Sequence, residues 1–422
     1  MTTYRGGVNY YGIKGMFFVM PATKGGEMKK NILFLIIVVV LFISCSTEPY
    51  NKVVRPVSVW SGKVYEYETE YNKNTEKGFE IFDNKGNLDT NTSLDKYKTG
   101  VLANANAFVS WFSTNFLDTK YLTINEKRDV DNYGNSRAQV VVSSADGLTV
   151  LPLVKDYFYA RCLIECEKYG GNNGSYFNIG YCYYYMADGF DVVVDIDIDF
   201  ANKDYVPMQK SIRATIDFQG HIVKNIRSVS DKSDIYLGLF AKASSVSNLI
   251  IEKAYIEASG KDSSVGALAG YFEKGKLENI TVRDSIIKGT KYTGGIAGQA
   301  YCDITNCAVE NCTILTTTKE VGGLVGIYKD GKLSGCTVSG CTIKADKEEA
   351  GGLVGRVLTE SEPYVENNTI VSTKVYVGNE DAKIEIGSKA NKYLGQACGR
   401  VCDANGTDIK NPELRVKDNT CK

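Results

Sequence analysis

A glycine-rich segment recurs through the second half of this 422-residue chain at an almost constant interval. It reads VGALAG, TGGIAG, VGGLVG and AGGLVG, and a weaker copy, YLGLFA, precedes these four. The marker glycines are 28, 28, 28 and 29 residues apart, at Gly238, Gly266, Gly294, Gly322 and Gly351. A fixed period of this size is typical of a solenoid, in which each repeat buries its apolar side chains only against its neighbours.

A second segment of each repeat has a fixed pattern of apolar positions. Small or β-branched residues occupy positions i, i+2, i+5 and i+7, beginning at Leu249, Ile280, Cys307, Cys336 and Asn368. A spacing of two places both side chains on one face of a strand, whereas a spacing of three requires the chain to turn a corner. Each repeat is therefore predicted to contain two short strands at an angle, closed by a third strand centred on Phe240, Leu268, Ile296, Leu324 or Leu353.

The predicted corners carry residues that tolerate a left-handed backbone. One corner position holds Asn248, Asn279, Asn306, Gly335 and Asn367, and the other holds Lys253, Asp284, Asn311, Gly340 and Ser372. Asn and Gly favour such corners because they adopt positive φ at low cost. The expected fold is all-β, a right-handed parallel β-helix with coils of about 28 residues, preceded by a small β-rich region. A leucine-rich repeat fits less well, since its leucine framework and return helix are absent.

Glycines and cysteines have structural roles in this arrangement. Gly266, Gly294, Gly322 and Gly351 allow neighbouring coils to approach where a Cβ would crowd. Cys307 lies one coil below Cys336, and Cys312 one coil below Cys341, so adjacent Cα atoms are close enough for a disulfide. Stacked side chains point in parallel, which favours reduced thiols packed as small apolar groups. The pairing of the clustered cysteines stays open for Cys302, Cys307, Cys312, Cys336 and Cys341.

The net charge and the pattern of possible metal-binding residues exclude some classes of function. The net charge of −1 and pI near 6.1 offer no basic face for nucleic acid, so we expect no nucleic-acid partner. The sequence has no Cys-x-x-Cys pair, and His221 is its single histidine. We therefore predict neither a metal site nor a cofactor.

The N-terminal part predicts export. Lys29 and Lys30 precede an apolar run of 12 residues, Ile32 to Ile43, which is short for a membrane span. The segment Phe42-Ile43-Ser44-Cys45 resembles the lipobox of bacterial lipoproteins. The resemblance implies a signal peptide at 28–44, a lipid anchor on Cys45 and attachment to a bacterial membrane, at the outer membrane or cell surface. Residues 1–27 then lie upstream of the true start. An uncleaved signal anchor is the alternative.

The remaining chain divides into four predicted regions: 45–139 as an N-terminal β-rich domain or stalk, 140–215 as a cap at the entry to the solenoid, 216–400 as the repeats, and 401–422 as a C-terminal cap. Within the first region, alternation predicts a strand at Ser58 to Tyr71, and Ala103 to Phe116 predicts a short helix. In the cap, FDVVVDIDIDF alternates strictly. It predicts a strand with Val194, Ile196, Ile198 and Phe200 on one face and Asp195, Asp197 and Asp199 on the other. The aspartates form either a solvated strand face or a Ca²⁺ site.

The glycine unit GG-[LI]-[AV]-G resembles the GLUG motif of bacterial surface proteins. The resemblance extends over 140–400, because DGLTVLPLVK, VVVDIDIDF and IDFQGHIVKNI precede the first coil in the order such proteins show. It implies an adhesin-like β-helix, and it assigns His221 a structural role. GLUG repeats also occur beside the zinc peptidase domain of some immunoglobulin A proteases. This chain has no His-Glu-x-x-His sequence, so that activity is not implied.

The predicted function is a non-catalytic surface protein that binds a glycan, or a protein of a host or other cell. The expected sugar-stacking residues follow one another in GYCYYYM, at Tyr181, Tyr183, Tyr184 and Tyr185; packing of the first coil is their other interpretation. A polysaccharide hydrolase or lyase would need paired carboxylates or bound Ca²⁺ on adjacent coils. The outward columns of the repeat mix residue types instead. A purely structural surface protein is the third hypothesis.

Overall fold

The computed structural model describes residues 8–13, 16–21, 102–130, 136–158, 161, 190–359 and 363–422. The chain divides into two compact units, Met1–Lys52 and Val53–Lys422. In the first unit, strands Val8–Ile13 and Met16–Pro21 form an antiparallel hairpin. The predicted signal peptide, Cys45, the strand predicted at Ser58 to Tyr71 and the four tyrosines of GYCYYYM lie outside the described residues.

The second unit begins with helix α1, Leu102–Phe116, which confirms the predicted helix. Strands Leu122–Val130 and Ser136–Val142 follow as an antiparallel pair, and then the short helix α2, Ala145–Thr149, and a 3₁₀ turn, Leu151–Leu153. The pair joins the solenoid because Ser136–Val142 pairs in parallel with Phe190–Val194. Buried Phe112 packs against Tyr157, with ring centroids 5.0 Å apart.

The solenoid is a parallel β-helix, and three of its coils contain five short strands each. One coil has the strands Tyr292–Gly294, Ala297–Tyr301, Asp303–Thr305, Ala308–Glu310 and Thr313–Thr316. Corresponding strands of successive coils pair in parallel and form five ladders, which we name A to E in that order. The predicted β-helix is therefore confirmed, but the prediction of three strands per coil is wrong.

Ladders A and E are separate sheets. Ladder A contains Tyr236–Leu237, Ser264–Val265, Tyr292–Gly294, Lys319–Gly322, Glu348–Gly351 and Leu394–Gly395. Ladder E contains Arg227–Ser230, Tyr255–Ala258, Ile286–Gly289, Thr313–Thr316, Thr342–Ala345 and Lys374–Val377, with Glu380–Asp381 antiparallel at its edge. Ladder A therefore has six strands, one from each of six successive coils.

Ladders B, C and D are continuous with one another, because two long strands run through all three. Their strands are Phe190–Val194, Ile198–Asp199, Ser211–Asp217, Ile222–Lys224, Phe240–Glu252, Ala269–Arg283, Ala297–Tyr301, Asp303–Thr305, Ala308–Glu310, Val325–Asp330, Lys332–Ser334, Thr337–Ser339, Val354–Leu358, Tyr364–Glu366, Thr369–Val371, Cys398–Cys402, Val416–Lys417 and Thr420–Cys421.

The predicted inward columns form the core. The first column is at most 1 % exposed at every level, at Leu249, Ile280, Cys307, Cys336 and Asn368. Asn368 is the polar exception, and its amide is satisfied: it donates to the carbonyl oxygen of Leu333 at 3.1 Å and accepts from the backbone N–H of Cys336 at 2.9 Å. A buried amide is tolerated in an apolar column when its hydrogen bonds are made.

The left-handed corners are confirmed at all ten positions. Positive φ angles between 48° and 68° occur at Asn248, Lys253, Asn279, Asp284, Asn306, Asn311, Gly335, Gly340, Asn367 and Ser372. Corner side chains also link successive coils, since the amide of Asn279 donates to Oδ1 of Asn248 at 2.9 Å. The residues that permit the corner therefore also join one coil to the next.

Two predictions about strands are wrong. Leu268, Ile296, Leu324 and Leu353 lie fully buried in the bend between ladders A and B, not at the centre of a strand. The glycines cause this bend: an added Cβ at Gly322 would lie 2.1 Å from the carbonyl oxygen of Val325. The strand predicted through Phe200 is interrupted between Val194 and Ile198, and Ile196 is 39 % exposed because the chain turns from ladder C to ladder D there.

The eight described cysteines are free thiols, and all except Cys421 are buried. They stack as predicted, with the backbone N–H of Cys307 3.4 Å from Sγ of Cys336 and that of Cys312 3.4 Å from Sγ of Cys341. Burial raises the pKa of the Cys302 and Cys398 thiols. The Cys302 and Cys398 thiols are therefore neutral core residues, and the stacked thiols pack in the core as the sequence favours.

A candidate binding groove on ladders A and B

Three tyrosines from successive coils form a stripe along the edge between ladders A and B. Tyr236 lies in ladder A, and Tyr271 and Tyr301 lie in ladder B of the next two coils. Their ring centroids are 5.7 Å apart from Tyr236 to Tyr271 and 5.4 Å apart from Tyr271 to Tyr301. All three side chains are partly exposed. We call Tyr236, Tyr271 and Tyr301 the tyrosine stripe.

Glycine explains why the first two rings meet. A Cβ added at Gly270 would lie 2.6 Å from the Cα of Tyr236, so the two ladders approach each other here as closely as their backbones allow. The Tyr236 and Tyr271 rings pack edge to face beside this close approach, at an interplanar angle of 74°.

Cations lie over the tyrosine stripe. The Lys242 Nζ atom is 4.5 Å from the ring centroid of Tyr236 and 6.0 Å from that of Tyr271. The Lys329 Nζ atom is 4.7 Å from the ring centroid of Tyr301 and donates a hydrogen bond to Gln299 Oε1 at 3.1 Å. These distances are within the range of cation–π attraction, which holds both ammonium groups at the stripe.

Two open depressions flank the stripe. The larger has a volume of about 580 Å³ and is lined by Arg213, Ser244, Tyr271, Glu273, Lys274 and Tyr301. The smaller has a volume of about 220 Å³, and its lining includes Tyr236, Lys242, Lys232 and Asp234. The larger volume is within the usual range for ligand sites. Aromatic faces, hydroxyl groups and charged groups therefore converge on one edge of the solenoid.

The phenol groups of Tyr236 and Tyr271 stay neutral at physiological pH. Burial raises the pKa of Tyr271 to about 12, and the neighbouring Tyr301 contributes to that rise. Burial also raises the pKa of Tyr236. Both hydroxyl groups can therefore donate as well as accept hydrogen bonds.

A separate cluster of charged side chains is buried beneath ladder A. Glu320 and Glu349 occupy equivalent positions in adjacent coils, with left-handed φ angles of 62° and 64°. The guanidinium of Arg356 donates to both oxygens of Glu349, at 2.7 and 2.6 Å, and Arg400 donates to the same carboxylate at 3.2 Å. The Glu320 and Glu349 side chains are 1 % and 0 % exposed. These paired carboxylates are closed to solvent and do not line either depression.

Two of the three aspartates considered for Ca²⁺, Asp197 and Asp199, form hydrogen bonds within the protein. Asp197 accepts from the backbone N–H of Ile222 at 2.9 Å and contacts His221 Nδ1 at 3.0 Å. Asp199 accepts from the side chain of Asn225 at 2.8 Å. These hydrogen bonds lower the pKa of both carboxyl groups. Among the described residues, no three His, Cys, Asp or Glu side chains are placed to hold a metal ion.

Column alignment of the repeats missed the tyrosine stripe. Tyr271 and Tyr301 follow their glycine clusters by different numbers of residues, and Tyr236 comes from another ladder, so no column of aligned positions contains all three. The available signal is a tyrosine close to each of three consecutive glycine clusters.

Helices long and apolar enough to span a membrane are absent from the described part of the chain.

Comparison with known proteins identifies the motif of one repeat. A family model described as the GLUG motif matches residues 289–315, which contain nearly all of the coil from Tyr292 to Thr316. This chain is a GLUG-repeat β-helix protein. The GLUG-repeat protein is also similar to a candidate immunoglobulin A1 protease from Bacteroides ovatus, known from a crystal structure. The identity is 16 %, the TM-score is 0.37, and the similarity covers 50 % of this chain and 76 % of that one. Comparison with curated proteins finds no match.

Proposed function

We propose that this GLUG-repeat protein is a non-catalytic surface protein that binds a polysaccharide along the tyrosine stripe. The observation that carries the proposal is the line of three partly exposed rings, 5.7 and 5.4 Å apart, on successive coils. The C–H face of a sugar packs against an aromatic ring, and a row of rings suits a polymer with repeated sugar units. Hydroxyl groups of the sugar would exchange hydrogen bonds with the phenols and with the charged side chains of the rim.

The proposal includes export and a lipid anchor on Cys45, which would hold the solenoid at a membrane surface. In bacteria fed an alkyne-tagged fatty acid, the wild-type chain should incorporate the tag and Cys45→Ser should not. A wild-type chain without the tag would contradict the anchor, whatever the outcome for the groove.

Binding is tested with the full-length protein, purified in detergent and passed over immobilised polysaccharides. We expect retention of the wild-type protein and a loss of at least about tenfold in affinity for Tyr271→Ala, because aromatic anchors dominate such surfaces. Tyr376→Ala is the matched control, since Tyr376 is a partly exposed tyrosine of ladder E, away from the stripe. Equal losses in the two variants, or no loss in Tyr271→Ala, would contradict the proposal.

Chain length of the polysaccharide is recorded in the same experiment. Unchanged length is the outcome expected for a binding protein. Shortened chains would overturn the non-catalytic assignment in favour of a polysaccharide hydrolase or lyase. If no polysaccharide is retained, the binding proposal is wrong, and a protein ligand or a purely structural role replaces it.

A further inference from the structure

The charges around the tyrosine stripe are unbalanced. The two depressions are lined by four cations, Arg213, Lys232, Lys242 and Lys274, and by two carboxylates, Glu273 and Asp234. A fifth cation, Lys329, lies over the ring of Tyr301. The chain as a whole has a net charge of −1. The excess of positive charge is therefore a property of this edge and not of the protein in general.

Most of these cations have no carboxylate partner among the residues that the structure describes. Arg213 lies 3.3 Å from Glu273. Lys242 and Lys329 are held by tyrosine rings, and none of the four lysines forms an ion pair with a described residue. The outward cations of ladders C and D differ, because carboxylates lie within 4.0 Å of Lys224, Lys276, Arg283, Lys332 and Lys417.

Unpaired cations beside aromatic rings favour a ligand that supplies the missing negative charges. Such complementarity adds specificity because a neutral ligand leaves the cations unpartnered, while an anionic ligand pairs with them. The Lys242 ammonium is central to this argument, since it lies over two rings and lines the smaller depression.

We infer that the groove selects an anionic polysaccharide, whose sugar rings stack on the tyrosine stripe while carboxylate or sulfate groups pair with Lys242, Lys274 and Lys329. This inference rests on the proposed function and adds the class of ligand. Glu273 weakens the attraction of the groove for an anionic ligand, because its carboxylate neutralises Arg213 and repels an anion in the larger depression.

The test compares polymers that differ only in charge. Full-length protein is assayed against polygalacturonate and its methyl ester, and against dextran sulfate and dextran. We expect each anionic polymer to bind about tenfold more tightly than its neutral counterpart at low salt, and we expect this preference to shrink strongly at 0.5 M salt, where the Debye length is only about 4 Å. Preference for polygalacturonate alone assigns the selectivity to carboxylates, and preference for dextran sulfate alone assigns it to sulfates.

Variants separate charge recognition from a structural role. Lys242→Gln should weaken anionic binding about threefold, and the Lys242→Gln, Lys274→Gln double variant about tenfold, as expected for exposed ion pairs. Glu273→Gln should strengthen it about twofold. Lys374→Gln is the control, because Lys374 is an exposed ladder E lysine that forms no ion pair with a described residue.

Equal binding of charged and neutral polymers would overturn this inference and leave the proposed function standing. Binding of no polymer would overturn both. Equal effects of Lys242→Gln and Lys374→Gln would also contradict the inference, since the charge would then act without regard to its position.

Discussion

Glu320 should make the stability of this protein depend on pH. Its carboxylate is buried, and Arg356 Nη2 is 2.9 Å away without the alignment of a hydrogen bond, because that guanidinium is directed at Glu349. Burial raises the pKa of Glu320 from an ordinary value of 4.5 to about 7, and the nearby Glu349 carboxylate contributes to the rise. Two arginines therefore stabilise one carboxylate well and the second poorly.

The direction of the effect follows from proton binding. Between pH 4.5 and about 7, folded Glu320 keeps a proton that the unfolded chain has already released. The free energy of unfolding therefore falls as pH rises through this range. Below pH 4.5 and above about pH 7, Glu320 adds no pH dependence to it. The size of the fall is about 3 kcal/mol, since each pH unit between the two pKa values contributes about 1.4 kcal/mol.

Urea unfolding of wild-type protein and Glu320→Gln between pH 4 and pH 8.5 measures this contribution. The variant has no proton to release, so its stability should match the wild type near pH 4 and exceed it by about 3 kcal/mol at pH 8. Glu348→Gln is the control, because that carboxylate is 40 % exposed and lies 3.7 Å from Lys319; we expect a change below about 1 kcal/mol. Parallel stability curves for Glu320→Gln and wild type would refute the reasoning.

Three further predictions concern the solenoid backbone and core, and each is checked by urea unfolding at pH 7. Gly322→Ala should destabilise by about 1–3 kcal/mol, because the new Cβ would lie 2.1 Å from the Val325 carbonyl oxygen; a neutral result would mean that the coils can separate there. Asn311→Ala should lose about 1 kcal/mol at its φ of 53°, while Asn311→Gly should be nearly neutral, as the equivalent Gly340 indicates; equal losses would exclude left-handed strain as the cause. Tyr328→Phe should lose about 1 kcal/mol, since the buried hydroxyl donates to the Cys302 carbonyl oxygen at 3.1 Å; unchanged stability would mean that water satisfies that carbonyl.

Local signals in the sequence were sufficient to predict the repeating coil and its corners. The 28-residue period predicted the coils, and the Asn and Gly positions predicted left-handed corners at Asn248, Gly335 and their equivalents. These predictions succeed because both depend on a residue and its close neighbours in the chain. A period restricts the fold to stacked units, and a left-handed corner restricts the residue type.

Tertiary structure decided what the local pattern left open. Leu268 looked like the centre of a strand, but close packing of ladder A on ladder B places it in a bend. The tyrosine stripe combines residues 35 and 30 positions apart, from two ladders and three coils, so their proximity exists only after the coils stack.

The buried charged cluster also depends on the tertiary structure and not on the local sequence. Glu320 and Glu349 carry ionisable side chains, which are rarely buried without partners. Their burial depends on Arg356 and on Arg400, which is 51 residues from Glu349, and these reach the carboxylates through adjacent coils. The sequence alone therefore determined the repeating coil and its corners, through constraints on single residues and their neighbours. The stacking of coils alone decided which distant tyrosines, cations and carboxylates meet, because those contacts lie across the coils and not along the chain.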